Sequence, residues 1–377
     1  MSLRLITLSC RHLAALSVMI TPMLFGLIGC SERETPAVDA AATRETPTKP
    51  AGTAVTELPS WKIPNIPKAA EAYYAPDSLH VIAQVQDPDA QKPGGRGGEG
   101  TLTYLFTDRG EDIVRINDRG QDGCSYYFPD RPLIVWTSTR DRMEMPVGNW
   151  FDEREYPRGA ELYTSDLKGN DVRRLTNNEW YDAEVSVSPD GQWIVFGRQT
   201  DGRMDLWRMR PDGSAEQQIT TTEDWQEGAP FYLPDSETIL YRAWKRSEFG
   251  KIEPTPMTVF TIRHDGTGLT QRTFDHDMNW APYPAPDGRH YVFVRIAEND
   301  NWEIFLGDLA GGEPVRLTFN PGFDGLPALS PDGTKMLFAR TEGDGFKGGI
   351  YTYVMDVSSL NLGPEHFTGI PPIATTD

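Results

Sequence analysis

Counting back seven residues from the proline of each Pro-Asp turn reaches Ala69, Asp122, Asp182, Glu227, Asn279 and Asp324. Four carboxylates and one carboxamide therefore recur at one offset. Oxygen-rich sets of this kind suit a hard cation such as calcium, and they equally accept the amino terminus or basic side chains of a partner. A third use is local, with each acid accepting backbone hydrogen bonds in the loop that enters its own repeat. No cofactor is required by these readings. Nor do the acids alone define a general acid and base, because those roles depend on a separation of pKa values that environment sets.

Other catalytic signatures are missing. The chain has no Gly-x-Ser-x-Gly elbow, no His-Glu-x-x-His, no phosphate-cradling glycine loop and no Cys-x-x-Cys pair. Of the histidines, His276 alone lies close in sequence to the acids, within Asp275-His276-Asp277, where flanking carboxylates would raise an imidazole pKa. A surface loop is the competing account of it. Cys124 reads as a small buried residue.

The elements that must position these residues follow from the turns themselves. Pro76-Asp77, Pro129-Asp130, Pro189-Asp190, Pro234-Asp235, Pro286-Asp287 and Pro331-Asp332 give a basic unit of about 45 residues with insertions, the period of a β-propeller blade. The third unit runs "AEVSVS", "PDG", "QWIVFGRQ", "MDLWRMR", a second "PDG" and "AEQQIT", which makes four strands. Aliphatic–aromatic pairs at Leu162-Tyr163, Leu206-Trp207, Ile304-Phe305 and Ile350-Tyr351 place bulky side chains on both faces of a sheet packed between neighbours. The expected fold is all-β, a six-bladed β-propeller of four-stranded antiparallel blades. The recurring acids would then lie at the start of each innermost strand and converge on one mouth of the central channel.

The unit, with its SPDG turn, its Asp before an aliphatic–aromatic pair and its closing Leu-Thr, resembles the WD-like repeat of the TolB family over roughly residues 68–369. TolB proteins are periplasmic six-bladed propellers of the bacterial envelope, and their channel mouth is implicated in partner docking. The resemblance carries that role to Asp122, Asp182, Glu227, Asn279 and Asp324. TolB carries an α/β domain ahead of its propeller, whereas a tether stands there in this chain. Insertions at residues 92–98, 142–159 and 245–257 would supply the rim. The last blade is expected to be completed by the carboxy-terminal segment 362–369, with a strand from the tether as the alternative.

Residues 1–29 read as an export signal, with Arg4 and Arg11 ahead of an apolar run. Their end, Leu27-Ile28-Gly29-Cys30, resembles the lipobox of bacterial lipoproteins, which makes Cys30 the expected lipidation site and membrane anchor. Residues 30–67, rich in Pro, Thr, Ala and Glu, read as a flexible tether and 68–377 as the propeller. The net charge of −19 excludes nucleic acid as a natural partner of the body of the protein. The function these features suggest is that of a monomeric, lipid-anchored envelope module that binds a protein or peptide segment. The alternative is a carbohydrate-active enzyme, a polysaccharide lyase or hydrolase using the channel mouth, with a divalent cation if it needs one.

Overall fold

A computed structural model describes residues 57–90, 100–146, 148–150, 152–343 and 348–374. They form six four-stranded antiparallel sheets. Blades 1 to 5 are continuous in sequence and begin with the inner strands Ala69–Tyr74, Asp122–Tyr127, Tyr181–Val187, Trp225–Tyr232 and Trp280–Pro284; blade 6 begins with Asp324–Leu329. Among the described residues the only helices are short 3-10 turns, and none is long and apolar enough to cross a membrane. Cys30 and the leader lie outside the described residues, as does the insertion at residues 92–98.

The second strand of each blade shows why the sheets stack. It carries three consecutive buried apolar residues in every copy: Val81-Ile82-Ala83, Ile134-Val135-Trp136, Ile194-Val195-Phe196, Ile239-Leu240-Tyr241, Tyr291-Val292-Phe293 and Met336-Leu337-Phe338. A strand covered on one face would alternate, whereas a strand sandwiched between two neighbouring blades is apolar on both. The core accordingly lies between blades. Ile82 and Leu105 of blade 1 meet Ile134 and Tyr163 of blade 2, and Ile63 packs with Val81, Leu337 and Val354 where the ring closes.

The turns that define the period are fixed by their aspartates. Oδ1 of Asp77, Asp190, Asp235, Asp287 and Asp332 accepts the N–H two residues on, at 2.9–3.0 Å. The closing Leu-Thr of the repeat has a similar structural role. Thr176, Thr220, Thr273 and Thr318 accept, through their hydroxyl oxygens, the N–H of a third-strand residue in their own blade at 2.8–3.0 Å.

Ring closure follows the alternative, a strand from the segment read as tether, and corrects the expectation that residues 362–369 complete the last blade. The outermost strand of blade 6 is Ser60–Lys62, paired antiparallel with the third strand Ile350–Asp356 in the register Ser60–Met355, Trp61–Val354 and Lys62–Tyr353. The segment read as tether therefore enters the ring by Ser60, and 362–369 is not the closing strand. Pro364 has no N–H to give to a ladder and starts a 3-10 turn, after Asn361 has reversed the chain in a left-handed conformation. The carboxy-terminal segment crosses to blade 5 instead. Asp287 N–H donates to Leu362 O at 3.1 Å, Phe367 covers Gly288, and Ala374 N–H reaches Ala310 O at 2.7 Å.

Candidate functional site: an axial cavity

The five recurring polar residues are all buried, and their hydrogen bonds are made within and between neighbouring blades. Asp182 and Asp324 each receive a bidentate arginine from the facing second strand, Arg198 at 2.6 and 2.8 Å and Arg340 at 2.7 Å. Asn279 accepts Arg295 Nε at 2.8 Å and donates to Met257 O. Asp122 accepts the N–H and hydroxyl of Thr103 in blade 1, at 2.8 and 2.9 Å, and the Asn117 amide at 2.7 Å. Glu227 accepts from Thr222, and its other oxygen is buried without a partner. The residue facing each is sixteen positions on, and in blades 2 and 4 it is Ser138 or Ala243 rather than arginine. With no cation opposite, burial pushes the Asp122 carboxyl up to about 6 and the Glu227 carboxyl up to about 8.

The channel is lined two residues further along. Every inner strand breaks its register there, and Glu71, Cys124, Glu184, Ala229, Ala281 and Leu326 all have φ between 31° and 53°. A left-handed β-bulge at a non-glycine residue costs on the order of 1 kcal/mol or more, yet it recurs in all six blades. Its effect is to turn one side chain per blade toward the axis. All six residues border a cavity of about 730 Å³, whereas of the five recurring polar residues only Asp122 does.

Two residues beyond the bulge, Tyr73, Tyr126, Phe231 and Tyr283 from blades 1, 2, 4 and 5 pack against one another, mostly with tilted rings, with centroids 4.8–6.2 Å apart, and the Tyr126 and Tyr283 hydroxyls lie at 3.0 Å. Side chains from blades on different sides of the ring can touch only at its axis. Tyr73 and Phe231 of this cluster border the cavity. Its walls are aromatic, with Trp150 and Tyr156 from the insertion at 142–159, Phe249 from that at 245–257, and Trp280, Trp302 and Phe323 from blades 5 and 6. The two insertions meet across blade 3, where the Arg154 guanidinium lies 5.4 Å from the Phe249 ring centre, and Trp244, just ahead of the second insertion, donates Nε1 to Glu153 at 2.8 Å.

Charge enters this apolar space at the bulges. The Glu71 carboxylate receives the Cys124 N–H at 3.0 Å, and the Glu184 carboxylate receives the equivalent Ala229 N–H of blade 4. Glu184 also holds the buried Arg242 guanidinium at 3.0 Å. Burial pushes the Glu71 carboxyl up, and burial followed by the Glu71 charge pushes the Cys124 thiol well up, so the thiol stays protonated. Cys124 is thus buried, as its sequence context suggests, but it belongs to the cavity wall.

Among the described residues no histidine borders the cavity. His276 is exposed, and its flanking Asp275 and Asp277 turn to Arg295, at 2.5 and 3.6 Å. Among the described residues no group of three or more His, Cys, Asp or Glu side chains is arranged to hold a metal ion. The sequence reading missed the bulge residues, although a signal was present. The position before the bulge is Ala70, Gly123, Ala183, Gly228 and Gly325 in five of the six blades. Small residues recurring inside strands mark a bulge or a close approach. Here a Cβ on Gly123 would lie 2.7 Å from the Trp150 ring, and one on Gly228 would lie 2.2 Å from Arg242 Nη1.

No model of a known protein family matches the chain. It is 28% identical over 145 residues to an uncharacterized protein of Agrobacterium fabrum and 26% identical over 156 residues to a TolB homologue of Chlorobium luteolum. These matches take in 36% and 41% of this chain, and the chain spans only 47% and 32% of the two relatives' lengths. Among solved structures, a TolB-type protein of Agrobacterium tumefaciens superposes with a TM-score of 0.54 at 19% identity, over 78% of this chain and 92% of that one. Oligogalacturonate lyase from Vibrio parahaemolyticus gives 0.51 at 12% identity, over 81% and 95%. The fold of this chain is that of a TolB-like six-bladed β-propeller.

Proposed function

We propose that the protein is a binding module of the bacterial cell envelope, exported and held to a membrane through lipid on Cys30, which receives a segment of a protein partner in its axial cavity. The observation that carries this reading is the sixfold left-handed bulge: a strained conformation repeated in every blade brings six residues to the border of one aromatic-walled cavity. The relatives named TolB support the choice of a protein partner and an envelope location. The export signal and the lipobox-like Leu27-Ile28-Gly29-Cys30 support the anchor. The binding surface we assign is the bulge layer and the loop-borne rim. The ring of Asp122, Asp182, Glu227, Asn279 and Asp324 shapes the inner strands beneath it.

Two experiments test the reading. Full-length protein would be used to capture partners from detergent-solubilised envelope, beside Trp150→Ala with Phe249→Ala and, separately, Asp182→Asn. A specific partner lost with the rim variant and kept by Asp182→Asn supports the assignment, and the reverse pattern overturns it. Fractionation of cells carrying Cys30→Ala should move the protein out of the membrane fraction. A carbohydrate-active enzyme in the same cavity is the second reading, favoured by aromatic walls around the Glu71 and Glu184 carboxylates. Bond cleavage in an acidic polysaccharide that Glu71→Gln abolishes would put it first.

A further inference from the structure

The cavity contains two near-equivalent corners, and they differ in one charge. At blades 3 and 4, Glu184 reaches the next blade's bulge N–H and is neutralised by Arg242, whose guanidinium lies over Gly228. At blades 1 and 2, Glu71 reaches the next blade's bulge N–H in the same way. The residue facing Gly123 there, as Arg242 faces Gly228, is Thr137, and its hydroxyl is buried without a partner. The space over Gly123 holds the uncharged Trp150 ring. Among the described residues no cation forms an ion pair with Glu71, Arg242 acting on it only at longer range, and Glu71 is part-exposed to the cavity it borders.

A second unpartnered acceptor belongs to a residue of the same cavity wall. Gln84, 5% exposed, faces Ala70 across the inner hairpin and also borders the cavity. Its amide nitrogen donates to Ser125 Oγ at 2.9 Å, while its Oε1 is buried without a partner. Glu71, Gln84 and the Trp150 indole border the same cavity, and neither Gln84 Oε1 nor Trp150 Nε1 has a hydrogen-bond partner there.

We propose that this corner binds a protonated primary amine, its N–H groups given to Glu71 and Gln84 Oε1, its charge against Trp150 and its alkyl stem along the apolar wall. A compact ammonium suits the corner better than a guanidinium, since Trp150 already fills part of the space that Arg242 fills in its counterpart. The net charge of −19 attracts such a ligand. This inference rests on the axial cavity being the binding site and names the chemistry of what enters. Two sources share that chemistry, a lysine side chain of a protein partner and a free small diamine.

The test is calorimetric titration of the full chain with n-butylamine, Nα-acetyl-lysine methylamide, 1,4-diaminobutane and tetramethylammonium. The amines should bind saturably, and tetramethylammonium, which has no N–H, at least about tenfold more weakly. Glu71→Gln should weaken amine binding by about tenfold or more, with Gln84→Met as the second variant, each first shown to melt cooperatively. Tighter binding of the lysine analogue assigns the site to a partner lysine, and tighter binding of the diamine to a small amine. Equal binding of tetramethylammonium, no saturable amine binding, or amine binding unchanged in both variants overturns the proposal. The rim-dependent capture described above can succeed when amine binding fails, so the two claims fall separately.

Discussion

Asp182 and Glu227 occupy the same place in their blades and meet opposite electrostatics. Asp182 faces Arg198, which also holds Glu216, whereas Glu227 faces Ala243. Asp182→Ala leaves Arg198 buried with one carboxylate fewer, and chemical denaturation should show a loss of about 3 kcal/mol. Glu227 behaves differently because its folded pKa is raised to about 8 against about 4.3 in the unfolded chain. Between those values the folded state keeps a proton that the unfolded state has lost. Its contribution to stability is therefore complete below about pH 4 and declines as pH rises, by about 1.4 kcal/mol per pH unit, until the folded group itself titrates. Glu227→Gln should remove that decline, so that urea midpoints of variant and wild type diverge from pH 5 to pH 8 in favour of the variant. The recurrence of these residues was legible in sequence. Their role was not, because the arginine sixteen positions on, in three of the five cases, has meaning only once the strands face each other.

At the scale of elements, the second strands and Pro-Asp turns were legible, since each is set by local pattern. The second strand of the third unit, read from sequence as residues 192–199, is Ile194–Thr200 in the structure. Ring closure by a tether strand was legible only as an alternative, because a three-residue strand such as Ser60–Lys62 has no periodicity of its own and is recruited by the open edge of blade 6. Deleting residues 57–63 removes that pairing and the buried Ile63, and should cost about 3 kcal/mol or more together with loss of cooperative melting. Truncation after Leu362 removes only the segment crossing blade 5 and should cost about 1–2 kcal/mol. Gly123→Ala acts on the rim instead. A Cβ there displaces the Trp150 ring, so a change in tryptophan emission at an unchanged melting temperature is the expected result.

For the whole molecule, six copies of one bulge convert a packed ring into a container. The aromatic cluster of Tyr73, Tyr126, Phe231 and Tyr283 meets at the axis, and the insertions of blades 2 and 4 raise the wall. Sixfold order was visible in the turns, but which layer faces the axis depended on a register shift of one residue, which brings Glu184 rather than Asp182, and Cys124 beside Asp122, to the border of the cavity. The central claim is that a partner enters at this layer. It is tested most directly by replacing Trp150 with the photo-crosslinking residue benzoylphenylalanine in living cells, beside the same replacement at Phe274, which is 68% exposed and does not border the cavity. A discrete crosslinked partner at position 150 and none at position 274 is the predicted result; a partner at 274 with none at 150 would contradict it.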